Sequence, residues 1–146
     1  MSQYEYEILE ELIQRLEKTP RLSKEEENKR YKKFSKNVTE RMINEGIARG
    51  VAADDHQMYN QSEESFKAHL KTTDNDLNEQ ISIFNFGLDR WFEYGETHPP
   101  YFPYRIAIIL SKRKELEKEN RFLAAYCRHF KFRVGTTDQQ ITNRAI

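Results

Sequence analysis

The chain has 146 residues, of which 33% are charged and 12% are aromatic, and its 24 basic and 24 acidic side chains leave a net charge of zero. This aromatic content argues against a disordered chain, and zero net charge provides no overall field toward nucleic acid or membranes. The length predicts one domain with a real core, at residues 1–135, followed by a flexible tail at 136–146.

The sequence also bears on the compartment in which the protein works. Cys127 is the single cysteine, so no internal disulfide can form, as expected of a reduced cytoplasmic protein. The N-terminus is acidic and amphipathic, unlike a signal peptide. No apolar run approaches the roughly 18 residues of a membrane span. We therefore predict a cytoplasmic protein that does not bind membranes.

The first two helices are predicted from apolar residues that recur with a period of about 3.6 residues. Helix 4–18 carries such a stripe and stops at a proline. Ser23 opens the second helix, because Ser23 and Glu26 have the spacing of a capping box. Gly46 and Gly50 bracket its end. The stripe of this second helix consists of Tyr31, Phe34, Val38, Met42, Ile43 and Ile47.

Residues 51–65 show little periodicity, and we predict a loop there, with a short helix from about residue 62 to residue 71. The loop contains Asp54, Asp55 and His56, which are residue types that bind metals. Three adjacent side chains cannot all converge on one ion, and no second cluster supplies further ligands. We therefore predict a polar loop, with no metal site and no cofactor.

Most of the aromatic residues lie in three predicted helices at 77–94, 104–114 and 116–132. They are too many for one solvated face, so these helices must pack on one another. The first of the three is apolar over most of its circumference, which predicts a central helix with Trp91 largely buried. Pro103 suits the first turn of the next helix, where its missing N–H is not needed. The expected fold is all-α, a compact bundle of about five to six helices.

Residues 104–126 resemble a tetratricopeptide-type helical hairpin, in which a tight turn leads into a helix that begins with a hydrophobic residue and a charged pair. The segment Leu116-Glu117-Lys118 matches that beginning. Lys114 stands where the family usually has glycine, Glu119 stands where it has a small alanine, and no second copy follows at the family's roughly 34-residue period. The resemblance, confined to residues 77–132, implies a helical-hairpin scaffold of a kind that usually binds proteins.

Charge is distributed unevenly along the chain. Residues 20–50 have a net charge of +4, residues 52–79 a net charge of −5, and residues 103–133 a net charge of +6. One interpretation is solvated helix faces, with the acidic middle matched to the basic end. The others are a surface for a protein partner or for nucleic acid, although binding to a nucleic-acid backbone needs a continuous basic groove.

Exposed aromatic residues beside positive charge are typical of protein interfaces. Tyr101 and Phe102 lie at the corner before the helix at 104–114, and Lys112, Arg113 and Lys114 lie at the turn after it. Aromatic residues at such a corner more often cover the core, and the alternative is a binding site. We predict these five as partner-binding residues. The aromatic side chains would anchor the partner, and the basic cluster would attract an acidic patch on it.

The sequence contains no nucleophile motif and no glycine-rich phosphate loop, and its four histidines are scattered, so no catalytic residue is predicted. The predicted function is a non-catalytic protein-binding module, either an adaptor or a stoichiometric protein inhibitor of the immunity or anti-defence type. The alternative is nucleic-acid binding through the basic region 103–133. An enzyme is the third and least favoured class.

Overall fold

A computed structural model describes residues 1–46, 63–96, 98 and 100–130. In these ranges the chain forms six helices and no strand, which confirms the all-α class. The predicted loop fragment Asp54-Asp55-His56 and the predicted tail at 136–146 lie outside the described residues. The helices are α1 (Gln3–Lys18), α2 (Lys24–Glu45), α3 (Glu63–Thr73), α4 (Leu77–Tyr94), α5 (Tyr101–Lys112) and α6 (Leu116–Phe130).

The helix starts follow the capping chemistry predicted from the sequence. The Ser23 hydroxyl accepts a hydrogen bond from the Glu26 N–H at 3.1 Å, and the Asp76 carboxylate accepts one from the Glu79 N–H at 3.1 Å. Each bond satisfies one N–H of a first turn that has no partner within its helix. The reverse half of the predicted capping box is not formed, because the Glu26 carboxylate binds Arg30 at 2.9 Å.

Helix α5 begins three residues earlier than predicted. Pro100 is its N-cap residue, so Tyr101 and Phe102 belong to the first turn instead of a corner. Pro103 is the third residue of the helix, where a proline is tolerated because the first four N–H groups of any helix lack an internal acceptor. The early start places Phe102 four residues before Ile106, on the same apolar face.

The helices divide into two compact units, of which the first contains α1, the start of α4 as far as Phe84, α5 and α6. Helix α6 packs against both α1 and α5. An aromatic series runs through this core, with the Phe84 ring 6.2 Å from Phe122 and the Tyr126 ring 4.9 Å from Phe130. The fully buried apolar residues of this unit include Leu9, Leu12, Ile13, Leu16, Leu77, Ile106, Leu110, Phe122 and Leu123.

The second unit contains α2, α3 and the rest of α4. It contains a buried ion pair between Arg90 and Glu96, whose residues are 5% and 6% exposed. Desolvated charges of this kind need each other, since removing one partner leaves the other charge buried alone. His98 is also buried.

The apolar stripe of α2 is only partly covered in the structure. Helix α2, all of whose residues are described, has no buried residue, and Tyr31, Met42 and Ile43 of its stripe are exposed. Trp91 of α4 has most of its surface covered, as predicted. Periodicity identified both helices, but an apolar stripe by itself does not specify how much of it a neighbour covers.

Candidate functional site

The turn between α5 and α6 brings together three of the predicted partner-binding residues, Lys112, Arg113 and Lys114, which we call the basic turn. All three are exposed. The Lys114 N–H donates to the Ser111 carbonyl at 3.0 Å, and the Glu115 N–H donates to the Leu110 carbonyl at 2.9 Å. This pair of bonds is a Schellman motif. It holds the basic turn in one backbone conformation.

Lys114 has a φ of 59°, and it is the only non-glycine residue with positive φ among those that the structure describes. A Schellman motif places its C′ residue in the left-handed region, and a side chain there costs about 1–2 kcal/mol. Lys114 stands at the position where tetratricopeptide-type hairpins usually have glycine. The backbone at this position therefore has the conformation that glycine adopts most easily.

Replacing Lys114 with glycine is expected to raise the free energy of unfolding by about 0.5–1 kcal/mol, because the strain removed exceeds the entropy that glycine adds to the unfolded chain. Lys114→Ala is the control, since alanine keeps the strain and should change stability by no more than a few tenths of a kcal/mol. Urea denaturation followed by circular dichroism measures both. Equal stability of the two variants would contradict the strain at this position.

The two aromatic residues of the predicted site are not available as anchors. Phe102 is 1% exposed and belongs to the core, so the exposure that an anchor requires is absent. The Tyr101 hydroxyl donates to the Asp74 carboxylate, and Arg105 donates to the Asp74 carbonyl at 2.7 Å. Burial, together with the bond to Asp74, raises the pKa of Tyr101 to about 12. These contacts fasten the start of α5 to the turn between α3 and α4.

An exposed apolar side chain lies next to the basic turn. Leu116, the first residue of α6, is 59% exposed. Helix periodicity gave no warning of this exposure, because Leu116 lies seven residues before the buried Leu123 and so on the same helix face.

The N-terminal turns of α1 lie against the basic turn. The Arg113 guanidinium binds the Glu5 carboxylate at 2.7 Å, and it holds the pKa of Glu5 below its ordinary value. The Tyr6 hydroxyl donates to Glu115 at 2.9 Å. The Lys118 ammonium lies 4.8 Å from the centre of the Tyr6 ring. Arg113 is thus engaged within the chain, whereas Lys112 and Lys114 have no ion-pair partner within the described ranges.

Arg121 joins α6 to two carboxylates of α1. Its guanidinium binds both oxygens of Glu10, at 2.7 and 2.8 Å, and one oxygen of Glu17 at 2.7 Å. These hydrogen bonds lower the pKa values of both carboxyl groups. Because the group is about 40% exposed, water screens its contribution to stability. Its clear effect is to set the register of α6 along α1.

The end of α6 caps the end of α1. Arg128 donates to the carbonyls of Leu16 and Thr19, and the His129 Nε2–H donates to the Leu16 carbonyl at 2.6 Å. The last carbonyls of a helix lack internal donors, so these bonds satisfy groups that would otherwise depend on water. His129 is buried, and burial lowers its pKa below the ordinary value.

His129 should make stability depend on pH. Its pKa in the folded state lies below that of an unfolded histidine, about 6.5, so the unfolded chain binds more protons between the two values. The free energy of unfolding should therefore fall as the pH is lowered from 7.5 toward 5. His129→Gln keeps an N–H donor for Leu16 and should flatten this dependence. Carboxyl groups whose pKa values are lowered, such as Glu10, change the free energy of unfolding only at lower pH, where they become protonated.

Parallel urea titrations of wild type and His129→Gln at several pH values between about 5 and 7.5 measure this effect. The difference between the two proteins isolates His129 from the other histidines. Identical slopes in the two proteins would contradict the prediction.

These features define a helical protein with a shallow, charged surface where α1, the basic turn and α6 meet. Among the described residues, no group of three or more His, Cys, Asp or Glu side chains is arranged to hold a metal ion. No described helix is long and apolar enough to cross a bilayer. Comparison with protein-family models, with curated proteins and with solved structures found no match in any of the three.

Proposed function

We propose that this chain is a cytoplasmic, non-catalytic protein-binding module, an adaptor or a stoichiometric inhibitor, that binds an acidic surface of another protein through its basic turn. The observation that carries the proposal is the strained backbone of Lys114, which keeps a charged side chain exposed where glycine would be more stable. A charged residue in a strained, exposed position points to a use for its side chain. The free thiol of Cys127 fits a reducing compartment.

The apolar part of the proposed interface is revised from the sequence prediction. Leu116 replaces Phe102 and Tyr101 as the anchor, because it is exposed and adjoins Lys112 and Lys114 in the same turn. Burying an exposed apolar side chain contributes affinity mainly through slower dissociation, whereas the two lysines attract an acidic partner and speed association. The α5–α6 hairpin, which resembles the tetratricopeptide type, would serve as the rigid support for this contact.

The nucleic-acid alternative receives less support from the described residues. Arg105, Arg113, Arg121 and Arg128 of the basic region are each engaged with groups of the chain itself. Three of them bind α1, not the acidic segment 52–79 that the sequence analysis considered as their match. Four positive charges of this region are therefore neutralised or engaged by groups of the chain itself. Fewer basic side chains are left to form the continuous groove that a nucleic-acid backbone needs.

The test begins with affinity capture, in which wild type and the double variant Lys112→Glu/Lys114→Glu serve as parallel baits, and proteins retained by wild type alone are identified. Lys32→Glu/Lys33→Glu is the matched control, since it makes the same charge change at two exposed lysines of α2. Each retained partner is then purified, and its binding is measured directly by surface plasmon resonance.

With the purified partner, the turn variant should associate about 10- to 100-fold more slowly at low salt, and the α2 control should bind like wild type. Leu116→Ala should dissociate about tenfold faster. Equal binding of wild type and the turn variant to every purified partner would overturn the proposal. Tighter binding of duplex DNA or RNA than of any protein, with affinity falling steeply with salt, would favour the alternative.

A further inference from the structure

A shallow groove runs between α1 and α6, beside the basic turn. Its exposed wall is acidic, because Glu7 and Glu11 lie one turn apart on α1 and both are exposed. Neither carboxylate has an ion-pair partner among the residues that the structure covers. The residues that line the groove are Gln3, Tyr6, Glu7, Glu10, Glu11 and Lys118.

The groove and the basic turn form one continuous face. Tyr6 lines the groove and donates a hydrogen bond to Glu115, the residue after Lys114. Lys118 lines the groove as well and covers the Tyr6 ring at 4.8 Å. This face therefore carries an acidic groove directly beside an exposed basic turn. The Tyr6–Glu115 hydrogen bond and the contact of Lys118 with the Tyr6 ring join the two.

We propose that two copies of this chain associate through this face, with the basic turn of each copy against the acidic groove of the other. A face with adjoining patches of opposite charge is complementary to itself when it is rotated by a twofold axis, which is the commonest symmetry of protein dimers. The net charge of zero adds no overall repulsion between copies.

Two exposed apolar side chains beside the face can supply buried area in this dimer. Leu116 is 59% exposed at the basic turn, and Tyr4, three residues before Glu7 on α1, is 61% exposed. Aromatic and aliphatic anchors surrounded by charge are typical of the centre of a protein interface. The dimer would cover the basic turn, so it would compete with the acidic partner of the proposed function.

Charge reversal tests this dimer. Sedimentation velocity of the full chain from about 1 to 500 μM, in about 0.05 M and 0.5 M salt, should detect self-association that weakens at the higher salt. The turn variant Lys112→Glu/Lys114→Glu and the groove variant Glu7→Lys/Glu11→Lys should each self-associate at least about tenfold more weakly. The control Lys32→Glu/Lys33→Glu should behave like wild type.

An equimolar mixture of the two reversed variants makes the test specific. The turn variant is acidic at both patches and the groove variant is basic at both, so each repels itself. In the mixed dimer both contacts again join opposite charges, and association should return to within a few-fold of wild type. A wild type that stays monomeric throughout, reversals without effect, or a mixture that does not associate would each overturn the proposal.

The two proposals fail in different ways. The groove variant keeps an intact basic turn, so at concentrations where the chain is monomeric it should still bind the acidic partner of the proposed function. Loss of self-association without loss of partner binding would remove the dimer alone. Loss of partner binding in the turn variant is a separate measurement, made with the purified partner.

Discussion

Replacing Phe102 with alanine is expected to lower the free energy of unfolding by about 3–5 kcal/mol. The side chain is 1% exposed, and its ring packs edge-on against Tyr101 at 5.4 Å between ring centres. Its removal would leave a cavity at the first turn of α5, where Pro103 and the contacts of Asp74 limit the collapse of the surroundings. Urea denaturation monitored by circular dichroism measures the change.

Leu116→Ala is the matched control for Phe102→Ala, since both changes remove a large apolar side chain from the same hairpin. Because Leu116 is exposed, its replacement should alter stability by no more than about 0.5 kcal/mol. A loss below about 1 kcal/mol for Phe102→Ala would mean that the residue is not part of the core, and the original assignment of Phe102 as a partner anchor would be open again.

Replacing Gly95 with alanine is expected to destabilise the protein by about 2–4 kcal/mol, the sum of a backbone and a packing contribution. Gly95 ends α4 with a φ of 72°, in the left-handed region that disfavours a side chain. A β-carbon added there would lie 2.5 Å from the Arg30 β-carbon and 2.8 Å from the Arg30 carbonyl carbon. Both atoms belong to or adjoin the backbone of α2, so neither can rotate away.

Gly46 offers a control that separates the two contributions. Its φ is 70°, nearly the same as that of Gly95, but a β-carbon there would meet nothing within 4 Å. Gly46→Ala should therefore show the backbone contribution alone, about 1 kcal/mol. Denaturant titration of both variants gives the difference. Equal losses for Gly46→Ala and Gly95→Ala would show that α4 does not approach α2 as closely at Gly95 as the structure places it.

Local signals in the sequence predicted the helices well and the site only in part. The bounds of α1 and α4 follow the apolar period closely, and Gly46 ends α2 as expected, because caps and periodicity act over a few neighbouring residues. The start of α5 was misplaced, since a proline is allowed anywhere in a first turn and Pro103 does not say which position it occupies.

The positions of some site residues were predicted correctly from the sequence, and those of others were not. Lys112, Arg113 and Lys114 lie together at an exposed turn as predicted, because adjacent residues between two helices can hardly be separated. The sequence predicts Phe102 at a corner before α5, as core cover or as a partner anchor, and the structure buries it in the first turn of that helix. The contacts of Arg113 and Arg121 with α1 join residues about a hundred positions apart, and nothing local in the sequence predicts such pairs.

The all-α class and the positions of most helix ends were determined by the sequence alone, because helix propensity, capping and the 3.6-residue period are properties of short segments. Only the tertiary structure decided which apolar residues are covered. It buries Phe102 and leaves Leu116 and part of the stripe of α2 exposed, since burial depends on which neighbour packs against each face. It also decided that α1 borders the basic turn, and so placed an acidic groove beside positive charge.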